Sequence, residues 1–292
     1  MTATSRIKSV AIWGLGNVGT GFALALHPLP ISLYLYSSSK QSRDNARSLG
    51  LDVLDSLDEW SVKAIGHSEL IALGWSDDAL LDAQPRHLDA LRPDQTLIHF
   101  SGALNAAELG QGPAETASLH PLAACPSPQR AARTFAEGPL VLEGTDEACS
   151  RLRPFLRALG SSVHHLNQGQ KTAYHAGAVL ASNALVGLLH AAQSQWEKAG
   201  LLDTQQTLLV SLANSALEAV RERGLDGGLT GPLMRGDIGT INRHLETLDA
   251  PTRELYQNLS QELMKLLGRN HFETEVYEAL NEILRGSSLN EN

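Results

Sequence analysis

The sequence predicts two architectures in succession: an α/β half built on a central sheet, then an all-helical half. Short apolar runs bounded by turn residues alternate with helical stretches up to about residue 166. Beyond that point nothing alternates with period two, and apolar residues recur at helical spacing instead. The run 168–200 opens the second half; it contains no proline, and Ala178, Leu185, Leu188, Leu189, Ala192 and Trp196 repeat along it as on a helix face. The expected organisation is one domain over 1–166, a helical domain over 167–286, and a tail over 287–292.

Composition narrows the function classes. A chain of 292 residues with 42% hydrophobic content can bury a sizeable core in two domains. Its 23 Lys and Arg against 32 Asp and Glu leave a net charge of −9, which argues against a nucleic-acid partner. Cys125 and Cys149 have no CxxC spacing, so neither a zinc site nor a disulfide framework is expected, and their use fits a reducing cytoplasm. The 11 histidines are scattered, with no HExxH pattern, and no metal is expected. No signal peptide is expected ahead of the first strand, and no apolar run reaches the ~18 residues needed to span a bilayer.

Strands are placed at 9–13, 31–36, 51–54, 69–75, 95–100, 116–119, 139–143 and 161–165, about eight in all. The first runs directly into Gly14-Leu15-Gly16-Asn17-Val18-Gly19 and an apolar helix through about His27. This is GxGxxG in the context it requires, strand before and helix after. Gly14 permits the turn, Gly16 admits a pyrophosphate, Gly19 lets helix and strand pack, and the helix N-terminus offers free N–H groups to the anion. A dinucleotide is therefore the expected cofactor. The second strand ends in Ser37-Ser38-Ser39-Lys40 with Arg43 following, where NAD-preferring folds carry a carboxylate. Hydroxyls and two cations suit a 2′-phosphate, so NADP is preferred over NAD. The 69–75 strand ends at Trp75-Ser76, a turn that passes close to the cofactor in such folds. Asp77 or Asp78 after it reads as an N-cap.

Candidate substrate-side residues cluster at strand ends and on the long helix. Ser101-Gly102-Ala103 follows the 95–100 strand, where open α/β sheets bind ligands. His120 is stiffened by Pro121 after it. At ~100° per residue, Lys171, His175 and Ser182 fall on one stripe of the 168–200 helix, with Asn183 at its edge. The other helices are expected at 42–50, from 79, and at 146–159, 203–223, 238–248, 251–267 and 274–284. The glycine- and proline-rich break at 229–237 carries Thr230, Arg235 and Asp237, with His244 beyond it. It reads equally as a connector, with Asp237 capping the next helix, or as part of a site.

With these segments assembled, the chain resembles bacterial proteins that join a Rossmann-like domain to a helical domain of unknown function numbered 2520. The resemblance rests on GLGNVG at 14–19, HFSG at 99–102, SLHPL at 118–122, KTAYHAGAVLASN at 171–183, and LTGPLMRGD at 229–237 with His244. More distantly the layout is similar to ketopantoate reductase, pyrroline-5-carboxylate reductase and the 3-hydroxyisobutyrate dehydrogenase group. One departure is Ser76-Asp77 where such proteins often have Pro-Asp. The resemblance implies a helical domain of the 6-phosphogluconate-dehydrogenase-like type, a homodimer formed through it, and hydride transfer from NADPH to a small molecule. Ketopantoate is the first specific substrate, with pantothenate biosynthesis as its setting. An imine of the pyrroline-5-carboxylate type is the alternative, and a non-catalytic NADP sensor is the rival from another class. In the reductase reading Lys171 is the first candidate proton donor and His175 the second, as a lysine matches ketopantoate reductase in role. Ser101, His120 and Asn183 orient the substrate, while Ser182, Thr230, Arg235, Asp237 and His244 add contacts, Arg235 to a carboxylate.

Overall fold

The computed structural model describes residues 7–82, 90–110 and 112–286. The chain divides into two units, Met1–Ser182 and Asn183–Asn292. In chain order the first contains β1 (Ser9–Trp13), α1 (Asn17–Leu26), β2 (Ser32–Tyr36), α2 (Lys40–Ser48), α3 (Leu57–His67), β3 (Leu70–Leu73) and α4 (Asp77–Asp82). It continues with β4 (Thr96–His99), β5 (Glu115–Pro121), α5 (Pro128–Glu137), β6 (Pro139–Gly144), α6 (Asp146–Ala158), β7 (Ser162–His165) and α7 (Lys171–Ala181). The seven strands form one sheet in the order β2-β1-β3-β4-β5-β6-β7. All neighbours are parallel except β5 and β6, which are antiparallel. Because β2 lies on one side of β1 and β3 on the other, the order in which strands are added reverses beside the Gly14 turn, the crevice where open α/β sheets hold ligands.

The alternation of side chains along each strand builds a core on both faces. Val10, Ile12, Leu70, Ala72 and Ile98 pack with Phe22, Leu26 and Phe135 from α1 and α5. Ala11, Ile71, Leu73 and Leu97 face the other way, onto Trp60 and Ala64 of α3. Burial on both faces is why these strands read as unbroken apolar runs.

Several expectations need correction. The proposed strand at 51–54 is reduced to a single bridge, Leu35 with Val53, because Arg47 and the turn at Gly50 lead the chain away after one residue. Helices α3 and α5 were not anticipated, although each starts at a serine that caps it: Ser56 accepts from the Asp58 and Glu59 amides, and Ser127 accepts from the Arg130 amide with Pro128 in the first turn. The helix expected over 168–200 is broken. Ser182 leaves helical geometry at φ −126°, ψ −75°, and its hydroxyl bonds back to the Ala178 carbonyl at 2.6 Å, a contact that competes with the helix ladder. By length and composition alone, 171–198 is also apolar enough to cross a membrane, contrary to the sequence expectation. The 287–292 tail lies outside the described residues.

The second unit contains α8 (Asn183–Lys198), α9 (Thr207–Gly227), α10 (Ile238–Thr247), α11 (Ala250–Leu267) and α12 (Thr274–Leu284). Leu233, Ile241, Leu245, Met264, Leu280 and Leu284 form its core. α9 starts later than expected, at Thr207, and kinks at Gly224 (φ +80°).

Candidate active site

The glycine turn is built by close approach. Gly14 adopts φ +105°, and its N–H donates to the Tyr36 carbonyl at 2.9 Å. A Cβ on Gly19 would stand 2.0 Å from the Gly14 carbonyl oxygen, so only glycine lets α1 lie this close to the end of β1. Gly16 faces open space and caps α1 without a side-chain bond, and the first turn of α1 carries no acidic residue. Those free amides fit a phosphate. Leu15, Gly16, Asn17 and Ser42 with Asn45 line a cavity of about 350 Å³ beside the turn, while the Asn17 amide ties the turn to the Cys125 carbonyl at 3.2 Å. Val18 packs on the core. Trp75 stands edge-on to Trp13 at 4.7 Å, next to Gly14. Ser76, rather than Asp77 or Asp78, caps α4 by accepting from the Ala79 amide.

At the end of β2 the two cations differ. Arg43 donates to the Ser37 and Ser38 carbonyls at 2.5 and 3.1 Å and lies over the Tyr36 ring, so its guanidinium shapes the turn. Lys40 is exposed and pairs with Asp44 at 2.5 Å. Ser37 is buried, and Ser39 caps α2 by accepting from the Ser42 amide. Ser38 and Lys40 stand at the exposed rim, where they could meet a 2′-phosphate once Lys40 gives up Asp44.

The polar cluster lies at the ends of β4 and β5. Register places His99 opposite Ser118 and Ser118 opposite Glu143, a buried polar row across three strands. Lys171, at the start of α7, is wholly enclosed above this row. Its ammonium donates to the Ser101 carbonyl at 2.6 Å and to the Ser118 hydroxyl. Burial lowers its pKa to about 8, opposed by the charges of Glu143 and Asp77. The Glu143 carboxylate also accepts from the Ala106 amide at 2.8 Å. Ser101 Oγ accepts from the Ala103 and Leu104 amides, so this hydroxyl shapes the turn around Gly102.

Less deeply buried, His120 and His175 close on Gly102, and Tyr174 packs against His120. His120 Nδ1 is 2.6 Å from the Tyr174 hydroxyl, and the His120 and His175 ring centroids are 5.7 Å apart. A Cβ on Gly102 would stand 2.3 Å from His175 Nδ1 and 2.9 Å from His120 Nε2. The absent side chain is what allows both imidazoles to close on the same point. His175 Nδ1 is buried without a protein partner, the kind of atom that a ligand's polar group satisfies. Burial and the Lys171 charge hold both His99 and His120 at about 4, so these rings are neutral at physiological pH; His175 adds to the effect on His120. Burial pushes the Tyr174 phenol up to about 12.

Of the substrate-side residues expected from sequence, the structure therefore brings Ser101, His120, Lys171 and His175 together. It adds His99, Ser118, Glu143 and Tyr174, which the sequence reading missed. Ser118 shares the alternation of His120, and Glu143 closes an otherwise apolar strand; both signals were present in the pattern. Ser182 ends α7, and Asn183 begins the second unit. Thr230, Arg235, Asp237 and His244 also belong to that unit. Thr230 lines an apolar cavity of about 340 Å³, Arg235 is exposed, Asp237 caps α10 by accepting from the Thr240 amide, and His244 Nδ1 meets the Tyr256 hydroxyl at 3.1 Å.

The fold and its glycine turn define the class: a Rossmann-type sheet followed by a helical unit. The resemblance seen in sequence holds in the comparisons, since residues 138–263 match the family model described as a domain of unknown function, DUF2520. Among solved structures, a Bacteroides fragilis protein provisionally named an NADP oxidoreductase superposes with a TM-score of 0.69 at 21% identity, covering 89% of this chain and 98% of that one. A reductive aminase from Aspergillus terreus, solved with NADPH and ethyl-5-oxohexanoate, gives 0.62 at 15% identity over 95% and 99%. The 1-pyrroline-5-carboxylate reductase of Streptococcus pyogenes gives 0.54 at 16% over 95% and 96%. At these identities the likeness establishes the two-part fold. No curated protein matches the chain.

Proposed function

We propose that this protein is an NADPH-dependent oxidoreductase that reduces the C=O or C=N bond of a small molecule. The observation that carries the reading is the closing of His120 and His175 on Gly102, with Tyr174 bonded to His120, at the same end of the sheet as the glycine turn after β1. A phosphate-binding turn at the same end of the sheet as this cluster of hydrogen-bonding rings suits hydride transfer to a polarised double bond. When bound, the dihydronicotinamide would supply the hydride. Gly14–Gly19 would hold the pyrophosphate, and Lys40 with Ser38 the 2′-phosphate. The neighbours named for NADP and NADPH support the choice of cofactor.

A small 2-oxo acid, with ketopantoate tried first, remains the leading substrate, on the likeness in layout to ketopantoate reductase. Imine reduction is the second reading, supported by neighbours named as a reductive aminase and a pyrroline-5-carboxylate reductase. The proposal includes a cytoplasmic homodimer. Its support is the apolar surface of the helical unit: α8 buries no residue, and Val186 and Leu212 are 67% and 62% exposed. The test is NADPH binding by fluorescence together with NADPH consumption against 2-oxo acids, ketopantoate and cyclic imines. Turnover with one class and not the other selects the substrate. Tight binding with no consumption by any compound would instead make the protein an NADP sensor.

A further inference from the structure

The notable feature of the cluster is that its one cation is sealed away. Lys171 is fully enclosed, and its ammonium is committed to the Ser101 carbonyl and the Ser118 hydroxyl. A substrate cannot reach that nitrogen without opening the buried row. His120 is only partly buried, and its Nε2 points toward the space above Gly102. Behind it, Nδ1 meets the Tyr174 hydroxyl at 2.6 Å, the one hydrogen bond that phenol makes among the described residues.

Hydrogen-bond direction follows from chemistry. A half-buried phenol that keeps its proton donates it to the nearest acceptor, which is His120 Nδ1. A neutral imidazole that accepts at Nδ1 must carry its proton on Nε2. The ring thus presents an N–H to the pocket and has a second proton queued behind it.

We infer that His120 Nε2 is the proton donor of the reduction, that Tyr174 reloads the ring at Nδ1, and that Lys171 is a positioning residue. The inference rests on the proposed reductase reading. A bound dihydronicotinamide would supply hydride to the carbonyl carbon, and the C=O π pair would then move to oxygen. That oxygen takes the Nε2 proton, forming O–H as N–H breaks. The Tyr174 O–H breaks in turn and its proton passes to Nδ1, so His120 stays neutral in its other tautomer. As product leaves, Nε2 takes a proton from water and Nδ1 returns its proton to the phenolate, which restores the starting tautomer; the net change is one C=O reduced to CH–OH, one dihydronicotinamide oxidised and one solvent proton consumed. His175 Nδ1, buried and unpaired on the other side of Gly102, is placed to fix the same substrate atom or a water beside it. The charged and titratable groups acting on His120 are Lys171 and His175 from α7 and Asp77 from α4.

The test has two arms on the full-length protein. In the first, ¹⁵N NMR of the His120 ring at pH 7 is expected to show a neutral ring protonated on Nε2, with the two nitrogen shifts well separated. In Tyr174→Phe, matched to the native protein by circular dichroism and NADPH affinity, those shifts should move toward a tautomer average. A ring protonated on Nδ1, or on both nitrogens, would overturn the relay whether or not a substrate is known. In the second arm, Tyr174→Phe should lose about 10²-fold in kcat with little change in the KM for NADPH. A curved proton inventory in deuterated water should become linear in the same variant. Native-like turnover by Tyr174→Phe contradicts the relay. A native protein with the expected tautomer but no turnover contradicts the reductase reading and leaves the hydrogen-bond assignment standing.

Discussion

The two units manage polarity in opposite ways. The sheet unit hides polar groups inside: His99, Ser118, Glu143 and Lys171 form a buried row whose members bond to one another and to nearby backbone. The helical unit leaves apolar groups outside: α9 buries only Leu209 of its 21 residues, and Leu202, Leu212 and Leu225 are exposed. A buried polar row stabilises a fold only when every group is partnered, so the first arrangement is sensitive to single changes. An uncovered apolar face is costly only until something covers it, so the second answers to concentration instead. In the proposed reading, chemistry belongs to the sheet unit and association to the helical one.

The largest expected effect lies at the closest backbone approach. Gly19→Ala forces a methyl against the Gly14 carbonyl, 2.0 Å from the built Cβ, and should cost about 3 kcal/mol by urea unfolding, with NADPH binding lost. A variant as stable as the native protein would mean that the turn is looser than described.

Next in size is the pH response of the buried row. His99 and His120 take up protons near 6.5 in the unfolded chain but only at about 4 in the fold. Between those values the unfolded chain binds more protons, so stability is full above 6.5 and falls as pH drops, by up to about 1.4 kcal/mol per pH unit for each ring. Lys171 acts on the alkaline side: with a folded value of about 8 against 10.5, the unfolded chain again binds more protons in between, and stability rises with pH across that window. Chemical denaturation from pH 4 to 10 should show both slopes. Lys171→Met should remove the alkaline slope and narrow the acidic one, since the Lys171 charge helps hold His99 and His120 down, and an alkaline rise that persists in that variant would show that Lys171 is not its source.

The smallest effect on the protomer separates the two units most sharply. Leu212→Glu, at an exposed site on α9, should change protomer stability by no more than about 0.5 kcal/mol. In sedimentation, however, it should shift a dimer toward monomer. Unchanged sedimentation would mean that this face is not the contact.

Legibility in the sequence followed the range of the interactions. Strand, glycine turn and helix succeed one another within 20 residues, so local physics alone places Gly14, Gly16 and Gly19. Ser101, His120, Lys171 and His175 were found because each stands at a strand end or on a helical stripe. Their division of labour was not legible. Whether Lys171 faces substrate or the sheet depends on Ser118 and Glu143, which reach it through strand register far from it in sequence. Tyr174 sat outside the polar stripe drawn on α7, and only the fold shows its hydroxyl turning to His120. The break at Ser182 was missed because apolar periodicity continues across it, while one hydroxyl bonding backward decides the local geometry. Helices α3 and α5 were overlooked for a different reason: their capping serines lie in stretches whose apolar pattern is short.

The central claim is that chemistry takes place where two imidazoles close over Gly102. It is tested most directly by following the NADPH absorbance band with native protein and Gly102→Ala across 2-oxo acids and cyclic imines. The account predicts NADPH binding by both proteins and turnover of at least one substrate by the native protein. In Gly102→Ala that turnover should fall by about 10²-fold, because the added methyl displaces His175 and His120 from their shared point. Native protein that binds no NADPH, or Gly102→Ala that turns over at the native rate, would contradict it.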